Sequence, residues 1–317
     1  MTTISAKTIL RSRNATRPDK VLSTLLLRYP RWIHAEFMTH RVFSRNAASS
    51  RAIPVDKLIG DVIENPAVPL FWGKNQKGMQ ASEECDRQVR DVFAEREQAL
   101  IAREPSDFAD SEGKWQQIQV SREQAWLRAR NNAIVMARAF ASAGYHKQIV
   151  NRLLEPFSHI TVLVSSTEWD NFLELRDHPD AEPHIQMLAR EIRKCLEDES
   201  TIQALRPYEW HLPFITEEER QQYPTQKLIV LSVARCASTS YKTVDGFDMT
   251  LERAEAIFDK LVTSQPMHAS PTEHVAQRDG WVKGDHGEHW QHPELHGNFE
   301  GFIQYRKLLE AQNLRAR

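Results

Sequence analysis

Residues 21–54 read VLSTLLLRYPRWIHAEFMTHRVFSRNAASSRAIP. Val21–Tyr29 is a short apolar run with β-compatible ends, closed by Pro30, and reads as a strand. Arg31–Met38 fits a short helix leading into Thr39-His40-Arg41, and Val42–Pro54, rich in small and polar residues, reads as a structured loop. Thr39–Arg51 gathers three guanidiniums, an imidazole, three serines and an Asn carboxamide in thirteen residues. Small residues permit close backbone approach, and the donors suit anions and ring edges. A phosphorylated heterocycle fits this set; a basic solvated loop is the competing reading.

The surroundings of this stretch are basic. Residues 1–57 carry eleven Lys and Arg against three Asp and Glu, an excess of eight, in a chain whose formal net charge is −2. Guanidinium binds phosphate in bidentate geometry, so an Arg-dominated segment favours a phosphate-bearing partner, nucleotide or nucleic acid. The 317 residues, 41% hydrophobic and 26% charged, suffice for a full core in about two domains or one large one. No apolar run approaches a bilayer span and no signal-peptide core is visible, which points to the cytoplasm. Cys85, Cys195 and Cys236 are odd in number and far apart, which argues against a disulfide framework or a CxxC zinc site.

Further along, Ala81–Glu104 and Trp115–Ala143 read as long helices, the second stopped by Gly144. Lys147–Leu154 reads as a further helical turn or two and His159–Val164 as a strand. A helix through Arg176 is expected with Thr167 as its cap, and another from Pro183 to about Leu196. Residues 206–226, with three prolines, read as a linker. Lys227–Val233 reads as a strand, Thr250–Thr263 and Asn298–Ala311 as helices, and 278–297 as a Gly- and His-rich loop.

His40-Arg41-x-x-Ser44-x-Asn46, followed by Ser49 and Arg51, resembles the RHRxxSxNExSxRY signature of the flavin-dependent thymidylate synthases. The eight residues between Pro30 and Thr39 keep that family's spacing. Arg152-Leu153-Leu154-Glu155-Pro156 is similar to its ARxxLP segment, and Asn171–Arg176 (NFLELR) to its NxxxLR helix. His268-Ala269-Ser270-Pro271-Thr272-Glu273-His274 has the HxSxxEH pattern, and Val233–Ala237 resembles the AARxxY start. Both lie C-terminal to the signature here, whereas ordinary members place them before it, so the order resembles a circular permutation. The departures are Thr39 for Arg, Ala47 for Glu, Ala52 for Tyr and Glu36 for an upstream Gln.

The resemblance implies an α/β (α+β) fold, a mixed sheet with long helices and a helical insertion around 60–145. The domains would be 1–205, a linker at 206–226, and 227–317 standing for the family's N-terminal portion. It implies FAD as cofactor, methylenetetrahydrofolate and NADPH as co-substrates, and a homotetramer. The implied activity is a flavin-dependent methyltransferase reaction, reductive one-carbon transfer to C5 of a deoxypyrimidine monophosphate, dUMP to dTMP. A deoxynucleotide hydroxymethylase or dCMP-directed variant is the alternative. Thr39, His40, Arg41, Val42, Asn171, His268, Ser270 and Glu273 would lie at the flavin and folate. Glu36, Ala47, Ser49, Ser50, Arg51 and Arg152 would bind substrate. Arg176 would hold the pyrimidine edge and stabilise charge developing at C5. For Arg152 and Arg176, helix-surface salt bridges are the competing reading.

No cysteine is required as nucleophile by that chemistry, and Cys236 reads as a small core residue. His286, His289, His292 and His296 match no zinc pattern, so no metal is expected. No dinucleotide fingerprint is present. From another class, a non-catalytic nucleotide- or DNA-binding accessory protein would use the basic N-terminal segment. Its arrangement as a compact motif, without interleaved aromatics, disfavours nucleic acid.

Overall fold

A computed structural model describes residues 2–79, 81–92, 94–95, 117–238, 249–264, 267–268, 270–284 and 287–315. The chain forms two units, Met1–Thr2 with Val55–Ser158, and Thr3–Pro54 with His159–Arg317.

The first unit is mainly helical. Arg122–Ser142 is its long helix, begun by a capping box in which Ser121 and Gln124 satisfy each other's backbone N–H groups. Gly144 ends it at φ 86°, a left-handed conformation that a Cβ would strain. The expected helix Trp115–Ala143 therefore starts later, because Gln119–Val120 pairs as a strand with Val89–Arg90. That pairing also displaces the start of the expected helix Ala81–Glu104, whereas Val92, Ala94 and Glu95 are helical. Over 81–91 the chain is extended and bent, tied down by Arg122 Nη1 donating to Cys85 O at 2.6 Å and Lys74 N donating to Glu83 O at 2.8 Å. Residues 96–104 lie outside the described residues.

The second unit is α/β, with a mixed five-stranded sheet. Its strands are β1 (Ser5–Asn14), β2 (Arg17–Pro30), β3 (Ser44–Ala47), β4 (His159–Ser166) and β5 (Ile202–Leu205), in the order β3-β4-β2-β1-β5. Only β1 and β5 pair in parallel. β3 falls inside the expected loop 42–54, because Ser44–Ala47 finds the edge of β4 to pair with, which no local propensity announces.

Successive side chains of a strand face opposite sides. One face of the sheet (Leu25, Leu27, Tyr29, Val162, Val164) packs on α1 (His34–Phe37), α2 (Asp170–Arg176) and α3 (Pro183–Glu197) through Phe37, Phe172, Ile185, Leu188 and Ile192, all essentially buried. Thr167 does not cap α2. Trp169 occupies that position, and Thr167 Oγ1 accepts from Glu300 N at 3.0 Å. A buried cation closes the C-terminal end of α3: Arg11 Nη1 donates to Cys195 O at 3.2 Å and Asp198 O at 2.8 Å.

The chain continues through β6 (Trp210–His211), α4 (Glu217–Gln222) and α5 (Thr225–Ala237), so 206–226 holds a strand and a helix. Lys227–Val233 is helical, not extended. Leu228, Ile229, Leu231, Val233, Ala234 and Cys236 are all buried, and a helix covered all round has the same unbroken apolar run as a buried strand. α6 (Leu251–Thr263) lies against α5. β7 (Ala276–Arg278), the hairpin β8 (Trp281–Gly284) and β9 (Gly287–Trp290), β10 (Phe302–Gln304) and α7 (Tyr305–Arg315) complete the unit. The expected loop 278–297 thus carries a hairpin with Trp281 opposite Trp290. The helix expected from Asn298 begins only at Tyr305, since Phe302–Gln304 joins β7.

Candidate active site

Three side chains of the Thr39 segment meet one distant arginine. α1 ends in a turn in which Thr39 N and Thr39 Oγ1 donate to Glu36 O at 3.1 and 2.7 Å. Arg45 Nη1 stitches the turn by donating to Met38 O and His40 O at 3.1 and 3.0 Å. Arg176, the last residue of α2, donates from Nη1 to the Glu36 carboxylate, from Nε to His40 Nε2 at 2.9 Å and from Nη2 to Thr39 Oγ1 at 3.4 Å.

Because His40 Nε2 accepts from a guanidinium, the imidazole is neutral and its proton is assigned to Nδ1. Burial, then the charges of Arg176 and Arg45, push its pKa down to about 4. The ring lies edge-on to Phe172 at 4.9 Å. The cluster thus offers a fixed guanidinium, a neutral imidazole and the partly exposed Glu36 carboxylate.

Beside this turn a cavity of about 520 Å³ opens, lined by Arg41, Phe43, Arg45, Glu273, Gly297, Asn298, Gln304, Arg306 and Lys307. Asn298 Nδ2 donates to Val42 O at 2.8 Å, and Gln304 Nε2 donates to Asn298 Oδ1 at 2.8 Å and Glu273 O at 3.3 Å. These carboxamides fasten the loop after His40 to the C-terminal wall. Arg306 pairs with Glu273 and, at 2.8 Å, with Glu310. Arg306 and Lys307 each pair with Glu310 at 2.8 Å, and with Arg41 and Arg45 beside them the wall keeps a net positive charge that seeks anions. That donor set fits the phosphates of a flavin nucleotide or of a substrate nucleotide.

The remaining expected residues are placed as follows. Val42 is exposed, its carbonyl held by Asn298. Ala47 ends β3 opposite Val162 and packs on the apolar core. Ser49, Ser50 and Arg51 form the turn after β3, with Ser50 buried and Arg51 exposed. Asn171 is exposed in the first turn of α2. His268 and Ser270 are exposed, and Ser270 opens the 3₁₀ turn Ser270–His274 that presents Glu273. Arg152 belongs to the first unit, where it pairs with Glu155 at 3.1 Å. Asn298, Gln304, Arg306 and Lys307 were not expected. The only sequence signal for them is an adjacent Arg-Lys pair at the start of the last helix.

Two histidines of the tract hydrogen-bond one buried carboxylate. His286 lies outside the described residues, and His292 Nδ1 and His296 Nε2 hydrogen-bond the buried Asp279 carboxylate at 3.0 and 2.8 Å. Burial would raise that carboxyl, but hydrogen bonds from His296, from the His292 ring and backbone, and from Gly280 N hold it at about 2. Among the described residues no three His, Cys, Asp or Glu side chains group as metal ligands. Arg235 is a structural cation, gripping Glu219 bidentately at 2.6 and 2.7 Å. Cys236 is fully buried, and burial pushes its thiol pKa up, away from a nucleophile. No described helix is long and apolar enough to cross a membrane.

No protein-family model matches the chain, and no curated protein does. Solved structures that it resembles include the UMP/dUMP methylase PolB from Streptomyces cacaoi bound with 5-Br UMP, at 16% identity and a TM-score of 0.39 over 64% of this chain and 91% of that one. The same enzyme bound with 5-Br dUMP gives 11% identity and a TM-score of 0.40 over 63% and 92%. Values this low describe a loose likeness of shape and say nothing of chemistry.

Proposed function

We propose that the protein is an enzyme of the flavin-dependent thymidylate synthase type, transferring a one-carbon unit reductively to C5 of a deoxypyrimidine monophosphate, dUMP first. FAD would be the bound cofactor, with methylenetetrahydrofolate as carbon donor, NADPH as reductant and a homotetramer as the assembly. The observation that carries this reading is the meeting of Arg176 with Glu36, Thr39 and His40, 136 to 140 residues away in sequence. The resemblance singled out all four, and a surface salt bridge would involve only one partner.

In this reading Arg176 donates to the pyrimidine edge and stabilises negative charge as C5 becomes nucleophilic, needing no proton transfer of its own. His40, neutral at working pH, contributes a hydrogen-bond donor. Arg41 and Arg45 draw phosphate to the cavity, and Ser49, Ser50 and Arg51 take the nucleotide's phosphate and sugar. Asn171, His268, Ser270 and Glu273 would border the flavin and folate. Bound FAD would supply the reducing equivalents.

The visible spectrum of the purified protein, with identification of ligand released on denaturation, tests the reading. A flavin spectrum with FAD released is expected; a colourless protein that takes up no added FAD contradicts it. A second reading, a dCMP-directed or hydroxymethylating variant, is favoured by the partly exposed carboxylate of Glu36, which can accept from an exocyclic amine. Assays of dUMP and dCMP side by side decide it: Glu36→Gln should shift preference towards dUMP, and an unchanged dUMP preference in both forms removes this reading.

A further inference from the structure

Five fully buried side chains run across the sheet in an unbroken hydrogen-bonded line. Ser12 Oγ lies 2.8 Å from His211 Nδ1, and His211 Nε2 lies 2.7 Å from Thr24 Oγ1. Thr24 Oγ1 lies 2.5 Å from Ser165 Oγ, and Ser165 Oγ lies 2.8 Å from His274 Nδ1. None of the five is exposed to solvent. His274 Nε2, at the far end, has no partner among the described residues. Burial keeps both imidazoles neutral, with pKa values of about 3.

Proton counting restricts the line severely. Each hydroxyl has one proton to give, and each neutral imidazole has one N–H and one bare nitrogen. If every link is made and both central hydroxyl protons are used, all donors point the same way. Pointing towards His274, Ser12 donates to His211, His211 Nε2–H to Thr24, Thr24 to Ser165, and Ser165 to His274 Nδ1. The only unsatisfied group is then the His274 Nε2–H. Pointing the other way strands both the Ser12 proton and the bare His274 Nε2. Letting Thr24 accept twice strands its own proton and the same bare nitrogen. Every stranded buried group keeps its full desolvation penalty, so the arrangement that strands only one wins.

We propose that Ser12, His211, Thr24, Ser165 and His274 form one hydrogen-bond relay of fixed direction, in which both imidazoles carry their proton on Nε2. The relay anchors the 3₁₀ turn Ser270–His274 to the sheet, and so positions Glu273, which lines the cavity and holds Arg306. It is independent of what the cavity binds.

Long-range proton–nitrogen spectra of the full chain labelled with ¹⁵N at histidine test this, with His211→Gln and His274→Gln assigning the signals. Both histidines should be neutral and Nε2-protonated. In Thr24→Val, Ser12 still donates to His211 Nδ1 and the stranded group is the His211 Nε2–H, so both rings should keep Nε2–H while the His211 Nε2–H resonance shifts on losing its acceptor; Thr24→Ser should restore the original shift. Opposite tautomers in the wild-type protein, a charged ring at pH 7, or a His211 Nε2–H shift unchanged by Thr24→Val would overturn the proposal. The wild-type spectrum alone decides it should the valine variant not fold.

Discussion

The two faces of the five-stranded sheet are built on opposite plans. Towards α2 and α3 the face is apolar, with Leu25, Leu27, Val162 and Val164 meeting Phe172, Ile185 and Leu188. The other face alternates apolar positions (Leu22, Leu26, Leu163) with Ser12, Thr24, Ser44 and Ser165, and draws His211 and His274 onto them. Shape complementarity specifies the first face and hydrogen-bond bookkeeping the second. The candidate site uses both: α2 carries Arg176 from the apolar side, and Ser44, on β3, accepts from Asn298 and Gln304 at the cavity.

The apolar face should be the costlier to break. Phe172→Ala, removing a side chain 1% exposed and in contact with Phe37, His40 and Phe43, should lose about 3–5 kcal/mol in urea unfolding. The polar face should reveal itself through acid instead. His211 and His274 are neutral when folded and titrate near 6.5 when unfolded, so the unfolded chain takes up protons first as pH falls. Their contribution is complete above about pH 6.5 and drains away towards their folded values of about 3. By pH 5 the loss is about 2 kcal/mol for each. Denaturant midpoints between pH 7 and 5 check this, and His211→Gln should flatten the slope. Ser165→Ala leaves Thr24 and His274 short of a partner and should cost about 1–3 kcal/mol. Arg51→Ala, on the exposed turn, should leave stability within about 0.5 kcal/mol while weakening nucleotide binding.

The sequence announces the apolar face well and the polar face poorly. Val21–Tyr29 and His159–Val164 declare themselves by continuous apolar runs, as central strands do. β3 does not, because its four residues are strand only through pairing with β4. Lys227–Val233 reads as a strand and is a helix, since a short apolar run with β-branched residues suits either. At the candidate site, Glu36, Thr39, His40 and Arg176 were singled out by the family resemblance. Asn298, Gln304, Arg306 and Lys307 were not, because their place at the cavity depends on β10 joining β7. The hydroxyls of Ser12, Thr24 and Ser165 look like ordinary strand residues until the register aligns them.

The most direct test of the central claim is calorimetric titration of dUMP into the purified wild-type protein and Arg176→Gln. Binding to the wild type is expected, with an affinity about 10- to 100-fold weaker in the variant, the loss of a charged hydrogen bond to the ring edge. Equal affinity in the two proteins, or no binding to either, would contradict it.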